Sequence, residues 1–297
     1  MDGRGGIAVT VREAWKRAFS FLRAKGESAA SDAERLVRHA LGLDRTALLS
    51  RWDEPFPPEC EPLLFRMLER RLAGEPVQYI VGEECFFGLT FEVTPATLIP
   101  RPETEGLVER AIREAERVFG RDARTSALTA ADLGTGSGAI AVALAASCSG
   151  WRIVATDLSR EALAVARRNA ERNGVADRIA WLEGDWLRPL EERGIAPDLI
   201  VSNPPYVRSG DIAGLQDEVR LYEPHLALDG GPDGLACYAA ILEQIGRLPR
   251  VPAIAAFETA WDAAERVATL VRQTGFWREI RIECDLAGLD RYVVGVA

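Results

Sequence analysis

The run Ser202-Asn203-Pro204-Pro205-Tyr206 closes an apolar segment, Asp198-Leu199-Ile200-Val201, and holds the residue types in this chain best suited to chemistry. Two successive prolines fix φ and remove two backbone donors. What remains at the end of the segment is a pair of acceptors, the Asn203 side-chain oxygen and the Pro204 carbonyl. Two fixed acceptors beside the aromatic wall of Tyr206 suit a planar –NH2 group. They hold its two hydrogens and leave the nitrogen lone pair perpendicular to its plane. In an amide that lone pair is delocalised and weakly nucleophilic, so the site must align the nitrogen with an electrophile by positioning and electrostatics. Asn203, Pro204 and Tyr206 are the candidate catalytic residues, and with Pro205 they form the candidate substrate-binding set. An adenine amino group is planar in the same way, so the motif alone leaves carboxamide and nucleobase substrates open.

A second constellation supplies a place for the electrophile. Asp132-Leu133 leads into Gly134-Thr135-Gly136-Ser137-Gly138, after an apolar run and before the apolar stretch Ala139–Ala146. Glycines let backbone approach a ligand closely, and a helix start offers N–H groups without partners. Dinucleotide-binding folds also carry a glycine loop, but the GxGxG spacing here, with an acidic residue before it, suits an adenosine ligand with an amino-acid tail. Asp157 ends the next apolar run, about 20 positions on, where a carboxylate can accept from both ribose hydroxyls. A helix-capping role is its alternative, because Ser159 follows. Gly184-Asp185-Trp186 comes after the third run: Asp185 can accept from an adenine amino group and Trp186 can stack on the base, unless Trp186 is a core residue. Residues 134–138, Asp157, Asp185, Trp186 and Asn203 are therefore the candidate cofactor-binding set.

These groups are positioned by the elements between and around them. Strands are expected at 127–132, 152–157, 179–183, 198–202, 253–258, 279–284 and 290–296, with helices between most of them, such as 159–173, capped by Ser159 and stopped by Gly174. Such alternation predicts a mostly parallel α/β sheet covered on both faces, and the short link before the last strand predicts an antiparallel pair there. Residues 7–75 read as helices, with a possible capping box at Ser31 and Glu34, a proline break at 55–58 and a further helix from Pro62 to Gly74. This helical part is a packing module or a partner-recognition module. From Tyr79 to Val93 the pattern turns β-like, with a hairpin turning near Gly88. Pro102 opens a helix with Glu103 and Glu105 in its first turn, where the dipole favours anions. The expected division is a helical domain at 1–78, a hairpin and connector at 79–100, and a catalytic domain at 101–297.

Composition narrows the class. The net charge is −9. Residues 1–80 hold 13 Lys+Arg against 12 Asp+Glu, and the remainder 23 against 33. A net −10 over the part that carries the motifs argues against a direct nucleic-acid substrate, which needs a basic track. Five scattered cysteines and only two histidines, His39 and His225, give no metal-ligand spacing. No apolar run is long enough to span a bilayer, and the first residues lack a signal core, so a cytoplasmic protein without a membrane partner is expected.

The chain resembles the HemK-type family of peptide chain release factor glutamine methyltransferases. The resemblance rests on Ala73-Gly74-Glu75-Pro76-Val77-Gln78-Tyr79-Ile80, Leu98-Ile99-Pro100-Arg101-Pro102-Glu103-Thr104-Glu105, the loop at 134–138, and Ser202–Tyr206. Tyr222-Glu223-Pro224, Asp233-Gly234-Leu235 and Asp285-Leu286-Ala287-Gly288-Leu289-Asp290-Arg291 extend it. It implies a seven-stranded, Rossmann-like methyltransferase fold behind a small all-helical domain. It implies S-adenosyl-L-methionine as cofactor and methylation at N5 of the glutamine in the Gly-Gly-Gln motif of class I release factors, with the helical domain docking that substrate. A sister enzyme acting on a glutamine of a large-subunit ribosomal protein, or an adenine amino methyltransferase, would share the core motifs. One departure is visible. Where the family usually has Glu, an aliphatic residue and Gly after the fifth strand, this chain reads Phe257-Glu258-Thr259-Ala260-Trp261-Asp262. That position is expected to lie away from the site and to affect packing rather than activity.

Overall fold

A computed structural model describes residues 9–297 and divides into two compact units. The expected helical start at residues 7 and 8 lies outside the described residues. The first unit comprises the chain up to Gly82 together with Asp217–Tyr222. Its helices are α1 (Val11–Leu22), α2 (Ala29–Leu41), α3 (Arg45–Ser50), α4 (Glu61–Leu72) and α5 (Val77–Val81). Helical spacing collects Leu22, Leu36, Val37 and Leu48 into one buried core, which Phe56 joins from the link between helices. A capping box does form in this unit, but at α1: Thr10 Oγ1 accepts from Glu13 N, and Glu13 Oε2 accepts from Thr10 N. The box expected at Ser31 and Glu34 is absent because α2 begins at Ala29, which leaves Ser31 inside the first turn donating to the Ser28 carbonyl. Tyr79 and Ile80 are helical rather than β-like. Pro76 and Gly82 (φ +79°) bracket one turn whose Val77, Ile80 and Val81 are buried in the helical core. Arg71, buried, bonds Asp32 Oδ2 at 2.7 Å and Glu218 Oε2 at 2.9 Å, which ties Asp217–Tyr222 to this unit.

The second unit opens with a hairpin, β1 (Glu83–Phe86) and β2 (Leu89–Glu92), turned through Phe87 and Gly88 at φ +52° and +73°. There follow α6 (Pro102–Phe119), β3 (Thr129–Leu133), α7 (Ala139–Ser147), β4 (Arg152–Asp157), α8 (Arg160–Arg172), β5 (Ile179–Glu183), β6 (Leu199–Ser202), β7 (Ile254–Glu258), β8 (Glu279–Cys284) and β9 (Asp290–Val296). The hairpin is fastened to α8: Asn169 Oδ1 accepts from Glu92 N at 2.7 Å, and Arg168 forks onto the Glu92 carboxylate. The seven strands after the hairpin form one sheet in the order β5-β4-β3-β6-β7-β9-β8, parallel except for antiparallel β9. One face is covered by a core containing Leu107, Ile112, Ile140 and Trp151, the other by one containing Tyr238, Ile241, Val267 and Val271 from helices Ala236–Ile245 and Ala264–Thr274. Burial on both faces explains why these strands read as apolar runs. Strand order reverses between β3 and its neighbours β4 and β6, which opens a crevice at the carboxyl ends of these strands, where α/β folds bind ligands. Among the described residues, no helix is long and apolar enough to cross a membrane.

Candidate active site

The glycine loop follows β3 into that crevice. Gly134 and Gly138 need to be glycine: their φ values are +70° and +81°, and a Cβ would sit 3.1 Å from the Trp186 ring at the first and 3.0 Å from Ala166 Cβ at the second. Asp132, fully buried, pins the loop to α7, its Oδ2 accepting from Thr135 Oγ1 at 2.6 Å and from Ala141 N at 3.1 Å. Burial pushes its carboxyl up to about 7. Thr135 is thereby turned inward, and the buried Ser137 offers its carbonyl to Asn169 Nδ2. Thr135, Ser137 and Gly138 shape the loop without lining the cavity beside it, whereas Gly134 and Gly136 line it.

The cap of α8 is Ser159, whose Oγ accepts from Ala162 N, and Asp157 stands two residues before it. Its Oδ2 accepts from Gly136 N at 2.8 Å and its Oδ1 from Ser159 N at 2.9 Å, yet it also lines the cavity. Its carboxylate keeps lone-pair capacity toward the cavity. Trp186 lines the same cavity, with a left-handed backbone (φ +45°) that costs a non-glycine residue about 1–2 kcal/mol. Gln244, buried on helix Ala236–Ile245, holds this turn from both sides: its Oε1 accepts from Leu187 N at 2.8 Å and its Nε2 donates to Asp185 Oδ2 at 2.9 Å. Asp185 consequently points to Gln244 and does not line the cavity, contrary to its expected place beside an adenine amino group.

The cavity has a volume of about 470 Å³, within the range of small-molecule sites. Asn203 and Pro205 wall it, Leu98 and Pro224 line it from segments that carry the resemblance, and Leu158 and Leu226 line it without having been singled out by sequence pattern. Pro224 follows Glu223, whose Oε1 is bonded to Arg101 Nη2 at 2.5 Å, so two of the quoted segments meet there.

Ser202, closing β6, donates to the Leu133 carbonyl at 2.7 Å and fixes the strand end against β3. Beyond it, Asn203 Nδ2 donates to Thr104 Oγ1 at 3.1 Å, and Thr104 Oγ1 donates to Glu258 Oε2 at 2.7 Å. Tyr206 OH stands 3.5 Å from Glu258 Oε1, at the limit of a hydrogen bond. Burial pushes Glu258 up to about 7, against the lowering pull of Thr104 and Arg291. Burial beside Glu258 also raises the Tyr206 phenol well above its usual value, so Tyr206 is neutral, and it does not line the cavity as its expected substrate contact would require. The segment at 257–262 is therefore not remote. The β6–β7 register pairs Ser202 with Phe257, which sets Glu258 beside Asn203. Pro204 is buried behind this wall and does not line the cavity. Among the described residues, no group of His, Cys, Asp or Glu side chains could hold a metal ion.

A cavity lined by Gly134, Gly136, Asp157, Trp186 and Asn203, at the carboxyl ends of the strands of this seven-stranded sheet, is the arrangement of a methyltransferase. Residues 13–82 match the family model described as PrmC N-terminal domain, and residues 119–218 match Methyltransferase small domain. The release factor glutamine methyltransferase of Moorella thermoacetica is 41% identical over 284 residues, covering 95% of this chain and 97% of its own. That of Cereibacter sphaeroides is 42% identical over 282 residues, covering 95% and 96%. The chain belongs to the release factor glutamine methyltransferase family. The fold is shared more widely: the N-terminal domain of human METTL16, solved with SAH, aligns over 94% of each chain with a TM-score of 0.52 at 16% identity.

Proposed function

We propose that this chain transfers a methyl group from S-adenosyl-L-methionine to N5 of the glutamine in the Gly-Gly-Gln motif of class I peptide chain release factors. The observation that carries this reading is that Asn203 and Pro205 wall the same cavity as Asp157 and Gly134. The residues fit the cofactor. The Gly134–Gly136 backbone leaves room for a close approach, Asp157 offers lone pairs to the ribose, and Trp186 offers a ring to the base. Bound there, S-adenosylmethionine supplies a methyl group made electrophilic by its sulfonium. The chain's own residues then have one task, to hold the carboxamide. Asn203 Oδ1 accepts one of its N–H bonds, Pro205 walls its plane, and the lone pair is left along the line of transfer. No strong base is required, since an N-alkylated amide is acidic and loses its proton to water.

The helical unit docks the protein substrate on this reading, and its exposed Phe21 and Phe65, whose ring centroids lie 5.9 Å apart, offer an apolar contact for it. The reading implies a cytoplasmic protein. Competition between an unmethylated release factor and the glutamine-bearing large-subunit ribosomal protein tests it. The release factor should take the methyl groups and suppress labelling of the other; the reverse preference would replace the proposed substrate.

A further inference from the structure

The side-chain amide of Asn203 can face the cavity in two ways, and only one can serve a carboxamide. With Oδ1 outward it accepts an N–H of the substrate; with Nδ2 outward it opposes one donor with another. The hydrogen-bond network around it decides between the two. We propose that Thr104 and Glu258 are positioning residues that set the polarity of the Asn203 amide and so keep its Oδ1 facing the substrate nitrogen. This inference rests on the methyl-transfer reading given above.

The polarity follows from counting protons. An ionised carboxylate only accepts. The single proton of Thr104 is committed to Glu258 Oε2 at 2.7 Å, so toward Asn203 the hydroxyl oxygen can only accept. Asn203 must then present Nδ2, which lies 3.1 Å away, and its Oδ1 is left for the cavity that Asn203 lines. Thr104 is 5% exposed and Glu258 1%, so water does not compete for these bonds. The relay is built from three separate elements. Thr104 stands in the first turn of α6, Glu258 ends β7, and Asn203 follows β6, which pairs with β7. The groups that act on Glu258 are Arg291 of β9, Glu103 of α6 and the hydroxyl of Tyr206, with the Tyr238 hydroxyl on its main-chain carbonyl. Glu258 is drawn up to about 7 by burial, so at about pH 8 its ionised form prevails.

The test compares the full-length chain with Thr104→Val, Thr104→Ser, Asn203→Ala and the Thr104→Val/Asn203→Ala double variant at about pH 8. Two readouts are taken: methyl transfer to a release factor, and hydrogen exchange of the Asn203 side-chain NH2, identified by its loss in Asn203→Ala. Thr104→Val should lower kcat by about 10- to 100-fold while leaving cofactor affinity within about twofold. Thr104→Ser should restore most of the rate. In the Asn203→Ala background, Thr104→Val should add nothing, because it acts through a group already removed. The Asn203 NH2 should exchange about tenfold faster or more in Thr104→Val and not in Thr104→Ser. Equal exchange in wild type and Thr104→Val overturns the proposal, as does an undiminished Thr104→Val effect in the double variant. Wild-type inactivity on the release factor would instead count against the substrate reading, and the exchange readout would still decide the role of Thr104.

Discussion

Replacing Gln244 with Leu is the sharpest test of how the cavity is assembled, because this side chain touches no ligand position and acts only through the Trp186 turn. Gln244 is buried and makes two bonds, from Leu187 N to its Oε1 at 2.8 Å and from its Nε2 to Asp185 Oδ2 at 2.9 Å. Leucine preserves the bulk and removes both. The stranded Leu187 N–H alone costs about 1–3 kcal/mol. Trp186 meanwhile occupies a left-handed conformation (φ +45°), a strain of about 1–2 kcal/mol that persists only while its surroundings over-determine it. The lost restraint matches or exceeds the strain it opposed, so the turn should relax and carry the ring away from Gly134. If the ring stacks on the adenine, about 1–3 kcal/mol of binding goes with it, a weakening of about 5- to 100-fold. Calorimetric titration with S-adenosylmethionine reads this directly, and a thermal melt separates it from global unfolding. A folded Gln244→Leu variant that binds the cofactor within about twofold of wild type would refute the assignment of Trp186 to the base.

Three further outcomes follow from the same geometry. Asn203→Ala should lower kcat by about 100- to 1,000-fold, the scale of losing one preorganised polar contact, with cofactor affinity nearly unchanged in the same titration. Asp132 is held up at about 7 in the folded chain against about 3.9 when unfolded, so between these values the native state keeps a proton the unfolded chain has lost. Stability measured in urea should therefore fall as pH rises through that window, and Asp132→Asn should flatten that part of the slope. Arg71→Ala should destabilise the helical unit by about 3–5 kcal/mol in a denaturant melt, because it strands the buried Asp32 carboxylate; Arg71→Met with Asp32→Leu should cost much less.

The strands that position the site were legible to within about two residues because β3, β4 and β6, buried on both faces, read as apolar runs, and they end where they present Gly134, Asp157 and Asn203 to one crevice. What stayed hidden depended on remote pairing. Thr104 and Glu258 lie 154 positions apart, and nothing local to either shows that they bond. Glu258 was visible only as part of an unusual sequence after the fifth strand, and its approach to Asn203 depends on the β6–β7 register. Gln244 stands in an otherwise apolar helix, and its pull on Asp185 is what withdrew that carboxylate from the expected adenine position. In the helical unit, Ser31 and Glu34 had the spacing of a capping box, but the chain enters α2 before them, and entry points are set by packing rather than by side-chain type. Residues 79–81 misled in the opposite direction: read as the start of a β-like stretch, they complete one buried helical turn between Pro76 and Gly82.

On the proposed function, the acceptor that Asn203 presents after β6 holds a glutamine carboxamide for methyl transfer. The most direct measurement of this uses S-adenosylmethionine labelled in the methyl group, offered with three acceptors: an unmethylated release factor, the same factor with the Gly-Gly-Gln glutamine changed, and DNA. The account predicts label on the intact factor alone, recovered in the peptide that contains the motif. Label on the altered factor or on DNA, or none on the intact factor from enzyme that still binds the cofactor, would contradict it.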